Sequence, residues 1–378
     1  MSIFNLFAKK ESYVGVDIGG GAIKVVELRN EKGRAVLETY GVIEQAMDKG
    51  TLIDHPDVLR NLLSTVMRNA RVKSKKVMTA LPSPLVFTAI LNLTGLSEAD
   101  AKTPEKLAAA IQWEAKKIVP LPLEEMVLDW KLIKMEEKGP QTETLSTQEG
   151  QGGAVKVKGK QMNVQVLLIG AAKVVVKKYM DVFKSLGYEL IDLDVESSAL
   201  SRALLPSDSS TVMVVDIGAT DAYISIVKNH IALFERTVNF GGNAISKGFA
   251  ENLKIDINQA DQFKVDLTYS NNPDRFKWLG IMKDEMKMVV NEIRYCINLF
   301  AQDSVVGNEV EKIMLTGGVA LMPGFAEYLE KQLNTKVLIG DPWVNLVYPE
   351  VLKPLVDEIG SRFGIAIGLA LWAIKNQK

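Results

Sequence analysis

Two aspartates occupy matching places in a pattern that occurs twice in this 378-residue chain. Asp17 lies in VGVDIGGGAIKVVEL (14–28) and Asp216 in VVDIGATDAYISIV (214–227). In each, a short apolar strand runs into Asp-Ile-Gly, a turn of small residues follows, and a second apolar strand begins. A carboxylate beside such a turn can hold a hydrated metal ion against phosphate. Backbone N–H groups around Gly19, Gly20 and Gly21, and around Gly218, make an anion-binding concavity. The second turn also carries Thr220 and Asp221. Two such hairpins facing each other would grip a polyphosphate from both sides. A third segment, IMLTGGVALMPGF (313–325), places Gly317-Gly318 after a strand, where a flat ring can lie against bare backbone. A glycine-rich turn between strands is, taken alone, more often a plain β-hairpin. The three together would offer two phosphate-binding turns and a surface for a flat ring, the parts a nucleotide needs.

These residues need a framework, and strands alternate with helices through most of the chain, as α/β layers require. VLETYGVIE extends the first hairpin into a sheet, and KKVMTALP (75–82) returns as a strand. Between them, 57–70 has apolar residues at 58, 59, 62, 63, 66 and 67, the spacing of an amphipathic helix. Residues 85–163 differ in character and read as an inserted subdomain. A strand, VFTAILNL, leads to a helix over 104–118, then PLPLEEMVLDWKLIKME enters another strand. Residues 137–160 hold almost no large apolar side chain and read as a solvated loop. The core resumes at VQVLLIGAAK (164–173). Ala199 and Ala203 lie four apart on one helix face, and Gly364 with Gly368, and Ala366 with Ala370, repeat that spacing near the C-terminus; small faces of this kind let a helix be crossed closely. Over 284–302, apolar residues at 286, 289, 290, 293, 296, 297 and 300 form a helical core stripe.

Composition narrows the function. A net charge of −1 gives no basis for nucleic-acid binding. Cys296 is the only cysteine, so no intrachain disulfide can form. His55 and His230 are the only histidines, too few for a zinc site without cysteines. Walker A and Rossmann fingerprints are missing. Residues 1–10 are too short in apolar content for a secretory leader. The apolar stretch FGIAIGLALWAI (363–374) falls short of the ~20 residues that span a bilayer. Phe4, Leu6 and Phe7 leave contact with a membrane surface open, beside the plainer reading of a loose terminus.

The three motifs resemble the phosphate 1, phosphate 2 and adenosine motifs of the actin/Hsp70/sugar-kinase superfamily. The placement of the inserted block resembles FtsA and its relatives. Within that group, YVGVDIGGGAIKVVEL and WEAKKIVPLPLEEMVLDWKLI (113–133) look like the PilM family of type IV pilus assembly proteins. The resemblance covers essentially the whole chain, and the 113–133 run is its most specific part, since nothing in nucleotide binding requires it. It implies an α/β, actin-like ATPase (ribonuclease H-like) duplicated fold with an FtsA-type inserted subdomain 1C. The implied division is 1–84 and 164–206 as subdomain 1A, 85–163 as 1C, 207–239 and 306–378 as 2A, and 240–305 as 2B.

The resemblance also implies function and site residues. The function is that of a cytoplasmic, nucleotide-binding adaptor at the inner face of the bacterial inner membrane. It would capture the N-terminal cytoplasmic tail of a PilN-like membrane protein and connect indirectly to PilO, PilP, the secretin and the pilus motor ATPases. Homo-oligomerisation stays open. ATP or ADP with Mg is the implied cofactor, with Asp17 and Asp216 holding Mg through water. Lys24 has the family spacing from Asp17 for a lysine reaching the β/γ-phosphates. Gly241, Gly242, Gly317 and Gly318 match the turns flanking nucleoside, and Asp261 and Lys264 lie where relatives place an acid and a lysine near ribose and base. Glu196 begins the first crossing helix, where some polymerising relatives position the attacking water. Relatives often carry a hydroxyl in the first phosphate turn. Here that turn is Gly20, Gly21 and Ala22, so hydrolysis is expected to be slow or missing. Trp113, Pro120, Leu121 and Pro122 are the expected partner-groove residues, while Trp130 reads equally well as core. Other readings are an FtsA-like filament protein, an actin-fold small-molecule kinase, and the cytoplasmic half of a type II secretion protein. They would show, respectively, an amphipathic C-terminal anchor, a catalytic aspartate in a substrate pocket, and a following transmembrane helix.

Overall fold

A computed structural model of the chain describes residues 11–44, 51–138, 161–270, 276–302 and 309–376. The expectations for the N-terminal segment 1–10 and for most of the 137–160 loop lie outside the described residues.

Strands β1 (Ser12–Ile18), β2 (Ala22–Glu31) and β3 (Arg34–Glu44) form an antiparallel meander, and α1 (Pro56–Asn69) returns the chain so that β4 (Lys76–Leu81) pairs parallel with β1. The insertion follows, with β5 (Val86–Ser97), α2 (Glu98–Lys102), α3 (Pro104–Ala115), β6 (Met126–Lys138) and β7 (Gln161–Ala172). Helix α4 (Lys173–Ser185) leads to β8 (Glu189–Val195), which pairs parallel with β4, and then to α5 (Glu196–Leu204). The second half begins with β9 (Val212–Ile217), β10 (Ala222–Lys228) and β11 (Ile231–Val238). Helices α6 (Gly242–Leu253), α7 (Ile257–Tyr269), α8 (Trp278–Ile281) and α9 (Lys283–Gln302) come next. Then come β12 (Lys312–Thr316), α10 (Phe325–Leu333), β13 (Val337–Ile339), β14 (Leu346–Val347), α11 (Lys353–Ile359) and α12 (Gly364–Lys375).

The strand orders reveal a duplication. One sheet runs β14-β3-β2-β1-β4-β8 and the other β11-β10-β9-β12-β13. Apart from β14, the two have the same order and the same directions: two antiparallel pairings, then two parallel ones. The strands β1 and β9 are buried along nearly their whole length, as central strands covered on both faces must be.

The chain divides into a body, 1–84 with 177–378, and an inserted unit, 85–176. In the inserted unit, β7 is the central strand between β5 and β6. Residues 164–172, where the sequence reading resumes the core fold, thus belong to the inserted sheet. Their apolar alternation suits either sheet, and only pairing decides between them. Leu107, Ile111 and Ala115 of α3 cover this sheet and pack with Leu91, Leu93, Val164, Val166 and Leu168.

In the body, α5 and α12 cross at the small residues the sequence marks. A side chain at Gly368 would place its Cβ 1.9 Å from the Ala199 carbonyl oxygen, and one at Gly15 of β1 would lie 1.9 Å from that of Ala366. Backbone therefore rests on backbone at both places, and α12 is buried from Gly364 to Leu371. Helix α1 buries Leu59, Leu63, Val66 and Met67 while Val58 faces solvent, so its apolar face is narrower than the spacing suggests. The α9 stripe is buried at Met286, Val289, Val290, Ile293, Cys296 and Phe300.

Candidate functional site

The two Asp-Ile-Gly turns are built alike. Gly19 N–H donates to the Ala22 carbonyl at 3.0 Å, and Gly218 N–H donates to that of Asp221 at 2.9 Å. Asp17 is cross-strand partner to Lys24, and Asp216 to Tyr223. Lys24 and Tyr223 are thus counterparts in the duplication with different chemistry. Lys24 Nζ donates to Asp17 Oδ2 at 2.8 Å, with both side chains largely buried. Tyr223 instead donates its hydroxyl to Glu235 at 2.5 Å.

The turns face each other. A Cβ on Gly20 would lie 2.6 Å from Thr220 Oγ1, and one on Gly21 would lie 2.3 Å from the Ala219 Cβ. Thr220 of the second turn therefore brings a hydroxyl close to Gly20. Thr220 Oγ1 also donates to Asp221 at 2.7 Å.

Three carboxyls share the electrostatic field of this cleft. Asp17 is buried. Burial pushes the Asp216 carboxyl up to about 6; Lys24 opposes the rise and the Asp17 charge adds to it. Glu196, the first residue of α5, is pushed up to about 7, chiefly by burial. The Ser83 hydroxyl and backbone N–H hold it down, at 2.8 and 3.1 Å from Oε2, while Asp17 and Asp216 push it further up. Burial and the neighbouring negative charges thus make Asp216 and Glu196 resist ionisation. One lysine is too little to neutralise the set, so the cleft has an unmet demand for positive charge.

The glycines of the expected nucleoside side gather around the second turn. Gly242 N–H donates to the Gly218 carbonyl at 2.9 Å, and Asn243 N–H to that of Ala219 at 2.8 Å. A Cβ on Gly241 would lie 2.5 Å from the Ala219 carbonyl oxygen. Gly317 adopts φ +86°, a left-handed conformation that suits glycine, and its Cβ would lie 2.5 Å from Asp216 Oδ1. Gly318 follows with open space around it, the nearest group being the Arg362 Nε at 4.0 Å from a built Cβ. Lys264, on α7, reaches α6: its Nζ donates to Ser246 Oγ at 2.7 Å and to the Gly242 carbonyl at 3.2 Å. Asp261 accepts from Lys264 at 2.6 Å and from Ser246 at 2.7 Å. Against the pull of burial, these bonds hold its carboxyl below the usual range.

The body thus brings together Asp17, Gly19, Gly20, Gly21, Lys24, Asp216, Gly218, Thr220, Gly241, Gly242, Gly317 and Glu196, with Asp261 and Lys264 adjoining through Ser246 and Gly242. Trp113, Pro120, Leu121 and Pro122 lie on the inserted unit and are all exposed, Trp113 at 68%. Trp130 is partly buried against the inserted core. Sequence reasoning misses Ser83, Ser246 and the Arg362–Glu44 pair at 2.6 Å. No motif signals Ser83, which stands 113 residues from the carboxylate it holds.

With this geometry in place, comparison with known proteins is informative. The family described as Type IV pilus assembly protein PilM matches residues 15–146 and 154–374. The solved PilM-PilN type IV pilus biogenesis complex superposes with a TM-score of 0.74 at 21% identity, covering 96% of this chain and 98% of that one. MreB 5 of Spiroplasma citri bound to AMPPNP gives a TM-score of 0.52 at 10% identity, over 95% of this chain and 94% of that one. Cell division protein FtsA of Neisseria meningitidis serogroup B is 22% identical over 284 residues, 69% of this chain and 65% of that protein, so the match spans just under two thirds of that relative's length. The fold is therefore α/β and actin-like, a duplicated ribonuclease H-like body carrying an FtsA-type insertion.

Proposed function

The chain belongs to the PilM family of type IV pilus assembly proteins, and from that membership we propose that it is a nucleotide-binding adaptor that holds the cytoplasmic tail of a PilN-like membrane protein. The observation that carries the nucleotide half is the meeting of both Asp-Ile-Gly turns, Lys24 and the glycines Gly241, Gly242 and Gly317 at one cleft.

The residues present fit a magnesium nucleotide. Side chains at Gly20 and Gly21 would strike Thr220 and Ala219, and those at Gly241 and Gly317 would strike backbone, so bare backbone is what these turns offer to phosphate and ring. Asp17 and Asp216 would hold the ion through water. The described residues contain no cluster of three or more metal-type ligands, and magnesium bound through water, phosphate and one or two carboxylates needs none. The ion would add positive charge to a cleft in which burial and mutual repulsion raise Asp216 and Glu196. Lys24, now paired with Asp17, is placed to neutralise phosphate. Glu196 is the candidate base, and Ser83 fixes its orientation. With no hydroxyl in the first turn, we assign nucleotide a structural or switching role with slow hydrolysis or none.

The partner half is supported by the likeness to the PilM-PilN complex and by the inserted unit's surface. Trp113, Ile118, Pro120, Leu121 and Pro122 are exposed along the end of α3 and the segment after it. Rigid aromatic and proline surface of this kind suits an extended tail. Among the described residues no helix is long and apolar enough to cross a membrane. We therefore place the protein at the inner membrane through that partner, with PilO, PilP, the secretin and the motor ATPases reached indirectly.

The test has two arms on the full chain. Millimolar Mg-ADP or Mg-ATP should raise the melting temperature of the wild type by linkage, and Asp17→Asn should lose the shift. A peptide copied from the tail of the PilN-like protein should bind by calorimetry. No nucleotide shift sinks the first half, and no peptide binding sinks the second.

A further inference from the structure

The body also holds an open pocket of about 600 Å³ at the far end of the first sheet. It is lined by Arg68, Arg71, Lys73, Lys75, Ser64 and Tyr188, with apolar Met67, Val72 and Leu186, and by no acid. It sits where α1 ends and β4 and β8 begin. Asp17 lies near the other end of β1, which runs parallel to β4, so the sheet's length separates this pocket from the cleft. The chain as a whole carries a charge of −1, so four cations around one pocket are not a reflection of overall composition.

These cations are only partly neutralised. Among the described residues Arg68 and Arg71 have no ion-pair partner. Lys75 Nζ lies 4.4 Å from the centre of the Tyr188 ring. Lys73 Nζ is 4.0 Å from Glu38, whose carboxylate already accepts from Arg29 Nε at 2.5 Å. The backbone beneath them is fixed. Val72 N–H donates to the Met67 carbonyl and Arg71 N–H to that of Arg68, both at 3.0 Å, which closes α1 with a left-handed residue. That residue is Arg71, at φ 55°, where glycine is usual. Buried Glu27 accepts from Lys73 N–H at 2.8 Å, Ser74 N–H at 3.1 Å and Ser12 Oγ at 2.6 Å. The segment carrying three of the cations is therefore anchored by a carboxylate that faces its amides. A cation complementing the dipole at the end of α1 accounts for Arg68. It does not account for the other three, nor for an arginine in a glycine position.

We propose that this pocket binds a phosphate group, with Arg68, Arg71 and Lys75 as its ligands and Tyr188 flanking it. Paired guanidinium groups match phosphate oxygens in number and geometry. The phosphate can come from a soluble phosphorylated ligand or from the headgroup of an anionic phospholipid, and the experiment separates them. The full-length wild type and the triple variant Arg68→Gln/Arg71→Asn/Lys75→Gln are compared. Asparagine at 71 tolerates the left-handed backbone. One arm titrates inorganic pyrophosphate by calorimetry. The other measures co-sedimentation with phosphatidylglycerol vesicles against phosphatidylcholine vesicles. The wild type should bind in at least one arm, and the triple variant should bind at least about tenfold more weakly there, with its melting temperature intact. Loss in the first arm alone assigns a soluble ligand, and loss in the vesicle arm assigns the lipid source. If the triple variant does not fold, the single variants Arg68→Gln and Lys75→Gln, at exposed positions, serve in its place. Binding in neither arm, or equal binding by wild type and variants, overturns the proposal.

Discussion

Replacing Glu196 with glutamine should stabilise the nucleotide-free protein at pH 8 far more than at pH 5. Glu196 titrates near 7 in the folded chain, against an ordinary value of 4.5, chiefly because burial disfavours its charge. A carboxyl raised in this way binds its proton more tightly folded than unfolded. Folding is therefore favoured below about 4.5, and the advantage is lost as pH rises through about 7. Between those values the unfolded chain ionises Glu196 without difficulty, while the folded chain must either keep the proton or hold a charge beside Asp17 and Asp216. The full shift corresponds to about 3 kcal/mol at 1.36 kcal/mol per unit, of which roughly 2–3 kcal/mol falls between pH 5 and pH 8. Glutamine carries no charge at either pH, and its side-chain oxygen can still accept from Ser83. For a folding unit of nearly 300 residues, the variant's melting temperature relative to wild type should rise by about 4 °C from pH 5 to pH 8. Thermal denaturation of both proteins at the two pH values measures this directly. The same difference at both pH values, or a smaller one at pH 8, would refute the reasoning, because Glu196 would then ionise freely in the fold.

Gly368→Ala should destabilise the body by about 3 kcal/mol, since its Cβ would lie 1.9 Å from the Ala199 carbonyl and α12 would have to lift from α5; chemical denaturation reads this as a lowered midpoint. Trp113→Ala should leave the melting temperature nearly unchanged, because the ring is 68% exposed, yet weaken binding of the PilN-type tail peptide by about tenfold or more. Unaltered peptide affinity in that variant would move the partner surface away from the end of α3.

Much of this molecule is legible in the chain because its signals are local. Asp-Ile-Gly followed by small residues dictates a tight turn between strands whatever surrounds it, so both hairpins, and with them the duplication, can be read before any contact is known. The α9 stripe and the small faces of α5 and α12 follow from helical period alone. What no local signal contains is the choice of partner. Strand β7 has the alternation of a core strand and yet pairs with β5 and β6. Strand β14, only two residues long, extends the first sheet beside β3. The Thr220 hydroxyl comes close to Gly20 because the two turns meet, and Ser83 steadies Glu196 across 113 residues. The protonation of Glu196 and Asp216 belongs to the same class. Turn type and period depend on steric terms among neighbours in the chain, whereas pairing, burial and the field at a carboxyl depend on which distant groups the fold removes from water together.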